Sequence, residues 1–152
     1  MTRIIKVVFI IVTGLFISSI SYCETITIEE LVDQYQHATD LQKRELETRF
    51  IGTAVTASGV VENVGEYNFF DINTDTGEKY YKVMTQQQET AGKTPYQVVF
   101  LYKNADRLKN VSKGFQMEKE GIIINIVDER LQISVWLYED ELTARDKLLF
   151  RM

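Results

Sequence analysis

The stretch GTAVTASGVV, residues 52–61, decides the fold, because a glycine interrupts an otherwise strand-like run. Thr53–Val64 predicts one long strand, and Gly59 stands inside it. Glycine weakens a strand interior and usually marks a bulge or a sharp bend. A second stretch, GFQMEKEGII at residues 114–123, has the same form around Gly121. The sequence therefore predicts two long strands that each bend at a glycine.

The rest of the chain predicts short helices and then a sheet. Thr27 followed by Glu30 fits a capping box, and a second cap is expected near Thr39, so one or two helices occupy the segment 24–50. Alternation of apolar and polar residues predicts the other strands at Tyr67–Asn73, Lys79–Thr85, Tyr96–Lys103, Gln116–Val127 and Leu131–Tyr138. Residues 62–67 and 128–131 are expected to be loops that take part in binding, and residues 128–130 to connect the last two strands as a hairpin. A charged run then predicts a C-terminal helix over residues 139–152.

Two bent strands are typical of one small barrel. A strand that runs through both halves of a barrel must turn a corner, and glycine or a bulge allows this. The five-stranded Greek-key barrel of the oligonucleotide- and oligosaccharide-binding kind, the OB-fold, is such a structure.

Over residues 39–138 the chain resembles bacterial exported OB-fold proteins of the tRNA-anticodon-binding-like type. The residues that carry the resemblance are Gly52, Val55, Gly59, Val61, Lys113, Gly114, Gly121 and Ile123. It implies a mainly-β fold, with a five- to six-stranded barrel over residues 51–138 between short N-terminal and C-terminal helices. It implies no particular activity, because OB-folds host many unrelated functions.

Residues 1–23 have the three-part form of a secretory signal peptide. Arg3 and Lys6 give a basic start, residues 7–17 are almost entirely apolar, and Ser21 and Cys23 suit cleavage before Glu24. A retained membrane anchor and a lipidated Cys23 are the alternatives. We expect a periplasmic or secreted protein that has no stable membrane insertion after cleavage.

The chain without its first 23 residues has 15 basic and 22 acidic residues, a formal net charge of −7. Nucleic-acid-binding proteins normally present a basic surface, because contacts with phosphates supply most of their affinity. The charge therefore argues against nucleic acid as a partner. The same segment contains no cysteine, so it must be stable without disulfides.

The aromatic residues predict a binding face. In QISVWLY, residues 132–138, aliphatic side chains alternate with polar and aromatic ones, so that one face suits a core. The same alternation in neighbouring strands predicts an outward face, with candidate ligand-binding residues Tyr67, Phe69, Tyr80, Lys82 and Trp136. Such rings suit stacking on sugars, bases or peptide side chains. The alternative is that a terminal helix packs over these rings.

Catalytic and metal-binding motifs are weak. His37 is the only histidine, so a histidine-based triad or a His-rich metal site is not expected. The run DINTDTGE, residues 71–78, fails the calcium-loop pattern at Thr76 and Lys82 and predicts a hairpin turn instead. We predict no enzymatic activity, no metal and no cofactor.

The leading hypothesis is an exported, non-enzymatic OB-fold binding or adaptor protein of the cell envelope. Its partner would be an envelope protein, a peptide or an oligosaccharide. The alternatives are a metal-dependent hydrolase built on Asp71, Asp75 and Glu78, and a protein that binds single-stranded nucleic acid.

Overall fold

A computed structural model of the protein describes residues 26–67, 79–89, 92, 94–137, 140, 141, 143, 144 and 147. The helices and strands in this part of the chain are, in order, β1 Ile26–Thr27, α1 Ile28–Gln36, α2 Asp40–Phe50, β2 Ala54–Tyr67, β3 Tyr80–Thr85, β4 Gln97–Tyr102, β5 Gln116–Val127 and β6 Gln132–Leu137. Short 3-10 helices at Ala105–Leu108 and Asp128–Arg130 precede β5 and β6. Of the predicted C-terminal helix, residues 139–152, only Ala144 and Lys147 are described as helical.

Both helices begin at the capping residues that the sequence predicts. The N–H of Glu30 donates to Thr27 Oγ1 at 3.2 Å, and the N–H of Thr27 donates to Glu30 Oε2 at 3.0 Å. Thr39 and Gln42 form the same reciprocal box at the start of α2. These side chains satisfy N–H groups that have no partner within the helix, which fixes where each helix begins.

Five strands form a closed ring. The order is β2-β3-β4-β6-β5, and β5 pairs again with β2. The pairing of β4 with β6 is parallel, whereas the other four pairings within the ring are antiparallel. The two-residue β1 adds to β2 in parallel. The structure therefore confirms a mainly-β protein, with a six-stranded mixed sheet and two helices in the described part of the chain.

The first corner of the ring lies in β2, which pairs with β5 and with β3 along different parts of its length. Its first half, Ala54–Val60, pairs with β5, and its second half pairs with β3 from Val61 onward, with a bulge between Val61 and Asn63. Gly59 lies directly before this change of partner. A Cβ atom added there would lie 2.7 Å from Cβ of Thr85, so Thr85 occupies the space that a side chain would need.

The second corner lies in β5 and is built in the same way. Gly121 pairs with Val55 of β2 on one side and with Leu137 of β6 on the other. A Cβ atom on Gly121 would collide with the carbonyl oxygen of Trp136 and lie 2.7 Å from Cγ1 of Val135. Neither corner glycine has a positive φ, so close approach is the constraint. Both glycines therefore lie where the neighbouring atoms leave no room for a side chain.

Of the two predicted loops, the one at residues 62–67 is wrong. Residues 62–67 belong to β2 and pair with β3, because the bulge at residues 61–63 lets the strand continue past Asn63 and Gly65. Residues 128–130 form the predicted connection between the antiparallel strands β5 and β6. Leu131 there has a φ of 34° and is buried, and Asp128 accepts a hydrogen bond at 3.0 Å from Lys43 Nζ of α2. The predicted strand Tyr67–Asn73 lies outside the described residues beyond Tyr67.

The main core fills the ring and extends under α1. It contains the inward side chains of the strands, such as Val83, Phe100 and Val135, together with Leu31 and Tyr35 of α1. No helix in the described part of the chain is long and apolar enough to span a bilayer. The predicted signal peptide lies outside that part.

Tyr96 links α1 to the loop before β4. Its hydroxyl oxygen lies 2.9 Å from Gln88 Oε1 and 3.3 Å from Glu29 Oε1. Burial, followed by the negative charge of Glu29 and the hydrogen bond to it, raises the pKa of Tyr96 to about 12. The neutral phenol is therefore the form that holds these elements together.

We expect the corner glycines to be intolerant of any side chain. Gly59→Ala and Gly121→Ala should each lower the free energy of unfolding by about 1–3 kcal/mol, because the added atom overpacks the corner. Gly65→Ala is the matched control in β2, since nothing lies within 4 Å of its added Cβ. Gly92, in the polar loop before Pro95, is unsuitable as a control. Its φ is 78°, so an alanine there would strain the backbone. Urea unfolding measures the differences, and equal stability of all three variants would contradict the assignment of the corners.

Tyr96 should make stability fall at high pH. Its pKa is raised on folding, so its contribution is fully present below pH 10, where the unfolded phenol begins to ionise, and is lost as the pH rises to about 12. The stability of the wild type should therefore fall more steeply between pH 10 and 12 than that of Tyr96→Phe. Both proteins retain Tyr35, whose pKa is also raised. Urea unfolding at successive pH values measures the free energy of unfolding of both proteins. An equal fall with pH in the wild type and in Tyr96→Phe would refute the contribution of Tyr96.

Candidate functional site

A second apolar cluster lies on the outside of the ring, on the side of the strands opposite the main core. We call it the outer cluster, and its buried members are Tyr80, Val99, Leu101, Ile124 and Trp136. Each of these side chains is at most 3% exposed. Tyr67 and Met84 are half-buried and pack at its rim. This part of the sheet is therefore covered on both faces.

Alternation in β6 places Trp136 in the outer cluster. Ile133, Val135 and Leu137 point into the main core, and Trp136 points the other way. Its indole Nε1 donates a hydrogen bond to the carbonyl oxygen of Asp140 at 3.0 Å. The edge of one ring meets the face of the other between Tyr80 and Trp136, with centroids 6.0 Å apart and an interplanar angle of 60°. Trp136 is thus fixed by packing and by a hydrogen bond.

The prediction that Trp136 and Tyr80 face solvent is wrong. The sequence assigned both residues to the correct side of the sheet, because alternation is a local property. It could not show that this side is covered. A ring that is 1% exposed, as Trp136 is, offers no stacking surface in this state.

Two other predicted site residues lie at the rim of the outer cluster. Lys82 is half-buried and stands between Tyr80 and Met84 on β3, so its side chain emerges on the outer side of the sheet. Tyr67, at the end of β2, is half-buried, and burial raises its pKa. The fifth predicted residue, Phe69, lies outside the described residues. The structure therefore brings Tyr67, Tyr80, Lys82 and Trp136 together, with two of them covered.

Asp140 fastens the chain after β6 to the barrel. Its Oδ2 accepts a hydrogen bond from the backbone N–H of Lys103 at 2.8 Å, and its Oδ1 lies 3.4 Å from the guanidinium of Arg107. The Asp140 side chain is only 7% exposed, so these charge-assisted contacts compensate for loss of hydration. Sequence reasoning missed Asp140, because it stands in a charged run, residues 139–147, that looks uniformly solvated. The only available signal was its place four residues after Trp136.

Lys103 also approaches the Trp136 ring. Its Nζ lies 5.9 Å from the ring centroid, within the range of a weak cation–π contact. Lys103 follows β4, so the connection from β4 to β5 contributes a backbone N–H donor to Asp140 and a cation to the ring of Trp136. The outer cluster, Lys103 and Asp140 together form one structural unit.

Two grooves lie elsewhere on the described part of the chain. A groove of 410 Å³ between α1 and α2 is lined in part by Gln34, His37 and Arg49. His37 Nδ1 lies 2.8 Å from the carbonyl oxygen of Asp33, and Arg49 donates to Gln34. A groove of 320 Å³ beside β5 is bordered by Phe115, which is 51% exposed. The outer cluster is therefore the stronger candidate site, since it carries aromatic and apolar groups at positions that the main core does not require.

Metal-binding geometry is not found in the described ranges. Within residues 26–67, 79–89 and 94–137 and the described residues beyond them, no three His, Cys, Asp or Glu side chains are grouped as metal ligands. The residues of the hydrolase alternative, Asp71, Asp75 and Glu78, lie outside the described part of the chain. That alternative stays a prediction.

Comparison with known proteins shows a similarity of fold to a solved structure. No protein-family model matches the chain, and no curated protein sequence is significantly similar to it. Its fold is similar to that of a solved structure described as a "putative nucleic acid-binding lipoprotein" from Klebsiella pneumoniae, with a TM-score of 0.50 and 14% sequence identity. The match covers 74% of this chain and 87% of that chain. At this identity it shows a related fold alone.

Trp136 should be important for stability as well as for any binding. Trp136→Ala should lower the free energy of unfolding by about 3–5 kcal/mol, the usual cost of deleting a buried tryptophan side chain. Tyr67→Ala, at the half-buried rim of the same cluster, is the control and should cost less. Urea unfolding with circular dichroism detection measures both. A smaller loss for Trp136→Ala than for Tyr67→Ala would contradict the burial of the indole.

Proposed function

We propose that this chain is an exported, non-enzymatic OB-fold binding or adaptor protein of the cell envelope, and that its partner binds at the outer cluster. The connectivity of the ring supports the OB-fold assignment. Counted from β2, the strands run 1-2-3-5-4 and return to 1, with two glycine-cornered strands, as expected of a five-stranded Greek-key barrel.

The position of the outer cluster is the observation that carries the proposal. OB-folds bind ligands on the face of their second and third strands, which correspond to β3 and β4. Tyr80 of β3 and Leu101 of β4 are in the outer cluster, on that face and away from the main core. An apolar floor with Lys82 and Tyr67 at its rim therefore lies where this class of barrel holds its ligands.

The chemistry of this face favours a protein or peptide partner. The half-buried rim residues Tyr67 and Met84 gain free energy by burying another apolar surface, about 25 cal/mol per Å². Stacking on a sugar would need a freely exposed ring, and Trp136 and Tyr80 are both covered. An apolar segment of an envelope protein is thus a better fit than an oligosaccharide.

Envelope localisation rests on the N-terminal sequence. Residues 1–23 have the order of regions found in a secretory signal, with Cys23 next to the expected cleavage site. The structural neighbour is described as a lipoprotein, which agrees with an exported protein. Both observations support an exported chain, and an exported chain would meet its partner in the cell envelope.

Nucleic acid is the second candidate partner, because the structural neighbour carries that description. The net charge of −7 in residues 24–152 opposes it, since phosphate contacts need cations. If nucleic acid is the partner, single-stranded DNA or RNA should be retained with the protein on a filter at low salt, and the retention should fall steeply as salt is added.

Site-specific photo-cross-linking in intact cells tests the proposed face. A photoreactive amino acid at Lys82 should cross-link the chain to an envelope protein, because this side chain lies at the rim of the outer cluster. The same amino acid at Arg44, on the exposed side of α2, is the control and should give no specific product. Equal products from both positions, or cross-linking of Lys82 to nucleic acid, would refute an apolar protein partner at this face.

A further inference from the structure

Positive charge is concentrated in one segment of an acidic chain. Residues 103–119, which join β4 to β5 and begin β5, contain five basic and two acidic residues. The other residues of 24–152 contain the remaining ten basic and 20 acidic residues. A formal charge of +3 therefore stands in this segment, against −10 in the rest of residues 24–152. Such an asymmetry is typical of proteins that bind an anionic surface or polymer.

Phe115 lies in the same segment and is 51% exposed, more than any other aromatic side chain in the described part of the chain. The N–H of Phe115 donates to the carbonyl of Ser112 at 3.1 Å, which closes a turn, and Gly114 supplies the φ of 87° that this turn needs. The turn is tied twice to β2. The N–H of Gly114 donates to the carbonyl of Val61, and the N–H of Val61 donates to the carbonyl of Phe115, both at 2.8 Å. A fixed backbone therefore presents the exposed ring, so that binding need not order the loop.

Cations stand on both sides of this ring. Arg107 and Lys119 line the groove of 320 Å³ together with Phe115, and Glu118 is the one carboxylate among the described residues that line it. Arg107 also pairs with Asp140 at 3.4 Å. Lys109 pairs with Asp106 at 2.7 Å, but both side chains are 73% exposed, so another anion can compete for this lysine. Lys113 is exposed in the turn before Phe115. We call these residues the basic patch: Arg107, Lys109, Lys113, Phe115 and Lys119.

One exposed ring among cations suits a membrane surface better than a nucleic acid. Proteins that bind single strands stack successive bases on several aromatic side chains, and Phe115 alone among the described aromatic residues is largely exposed. At a bilayer, lysine and arginine side chains approach anionic headgroups, and an exposed apolar side chain enters the boundary with the acyl chains. The acidic remainder of the chain is repelled from the same surface, so the basic patch also sets the orientation of the bound protein.

We propose that the basic patch binds the surface of a bilayer that contains anionic phospholipid, as a peripheral contact that does not cross the membrane. The choice of a bilayer rests on the proposed envelope localisation, whereas the basic patch is independent of a partner at the outer cluster. Each cation near an anionic bilayer changes the partition constant about fivefold. Transfer of the exposed half of a phenylalanine ring out of water changes it about fivefold to tenfold.

Sedimentation with vesicles tests the proposal on the chain from Glu24 to Met152, which lacks the predicted signal peptide. Vesicles of phosphatidylglycerol and phosphatidylethanolamine should bind the wild type, whereas vesicles of phosphatidylcholine alone should not. Lys113→Glu changes the charge by two and should weaken binding about 25-fold. Phe115→Ala should weaken it about fivefold to tenfold. Added salt should release the wild type, because exposed charges are screened.

Two substitutions on α2 are matched controls for charge and for apolar surface. Arg44→Glu makes the same change of charge as Lys113→Glu, and Leu41→Ala removes a side chain that is 69% exposed. Both positions flank Lys43, which contacts Asp128 beyond the end of β5 that is distant from the basic patch. Both control variants should bind vesicles as the wild type does, apart from a small effect of net charge in Arg44→Glu. Urea unfolding should show that all four variants are folded, because the changed side chains are exposed.

Entry of the ring into the bilayer has its own measurement. Anionic vesicles with brominated acyl chains should quench the added tryptophan of Phe115→Trp, but not that of Leu41→Trp. Trp136 is 1% exposed and gives the same background in both variants.

Three results would overturn the proposal. The first is a wild type that does not bind anionic vesicles, and the second is an equal loss of binding in Lys113→Glu and Arg44→Glu. The third is retention of single-stranded DNA on a filter that Lys113→Glu abolishes, without any binding to vesicles, which would assign the basic patch to nucleic acid. None of these results bears on the partner at the outer cluster, which cross-linking from Lys82 tests separately.

Discussion

The structure depends on one constraint in β2 and β5. Each of these strands pairs with one neighbour along its first half and with another neighbour along its second half. Only a sharp bend lets one strand leave a partner and join the next, and the bend brings backbone and side chains into unusually close contact. Thr85 packs against Gly59, and the backbone of β6 packs against Gly121. The hydroxyl of Thr85 makes two hydrogen bonds with the backbone of Val98. It donates to the carbonyl oxygen of Val98 and accepts from the N–H of Val98, beyond the last paired residues of β3 and β4. The remaining strands close the ring only because these two corners exist.

Much of this architecture can be predicted from sequence, since its signals are local. Gly59 and Gly121 interrupt β-branched runs, and the alternation around Trp136 assigns each residue of β6 to a face. The boundary at residues 62–67 was wrong because Asn63 and Gly65 resemble a turn, while the bulge that carries the strand through them depends on pairing with β3. The solvent exposure of Trp136 and the role of Asp140 could not be predicted from the sequence. Whether Trp136 is covered depends on contacts from outside its own strand, and the role of Asp140 depends on Lys103 and Arg107, which are distant in sequence.

The covered outer cluster changes how function should be sought in this fold. A search for exposed aromatic rings would pass over the face altogether, because Trp136 and Tyr80 are as deeply buried as residues of the main core. The cluster is apolar on the side of the sheet that the barrel does not need for its own core. Lys82 and Tyr67, at the rim of the cluster, are half-buried and keep part of their surface in contact with solvent.

The closure of the ring by β2 and β5 also affects how the chain must be made. Ala54 pairs with Ile122 and Val60 pairs with Gln116, so the strand that completes the ring is synthesised long after the one it joins. Until β5 emerges, the first half of β2 has an unsatisfied edge rich in valine and alanine, the kind of edge that pairs readily with other chains. Folding is expected to be slow for the same reason, because contacts between distant residues must form before the barrel gains their stability. The feature that makes the barrel continuous thus leaves the nascent chain dependent on protection from aggregation.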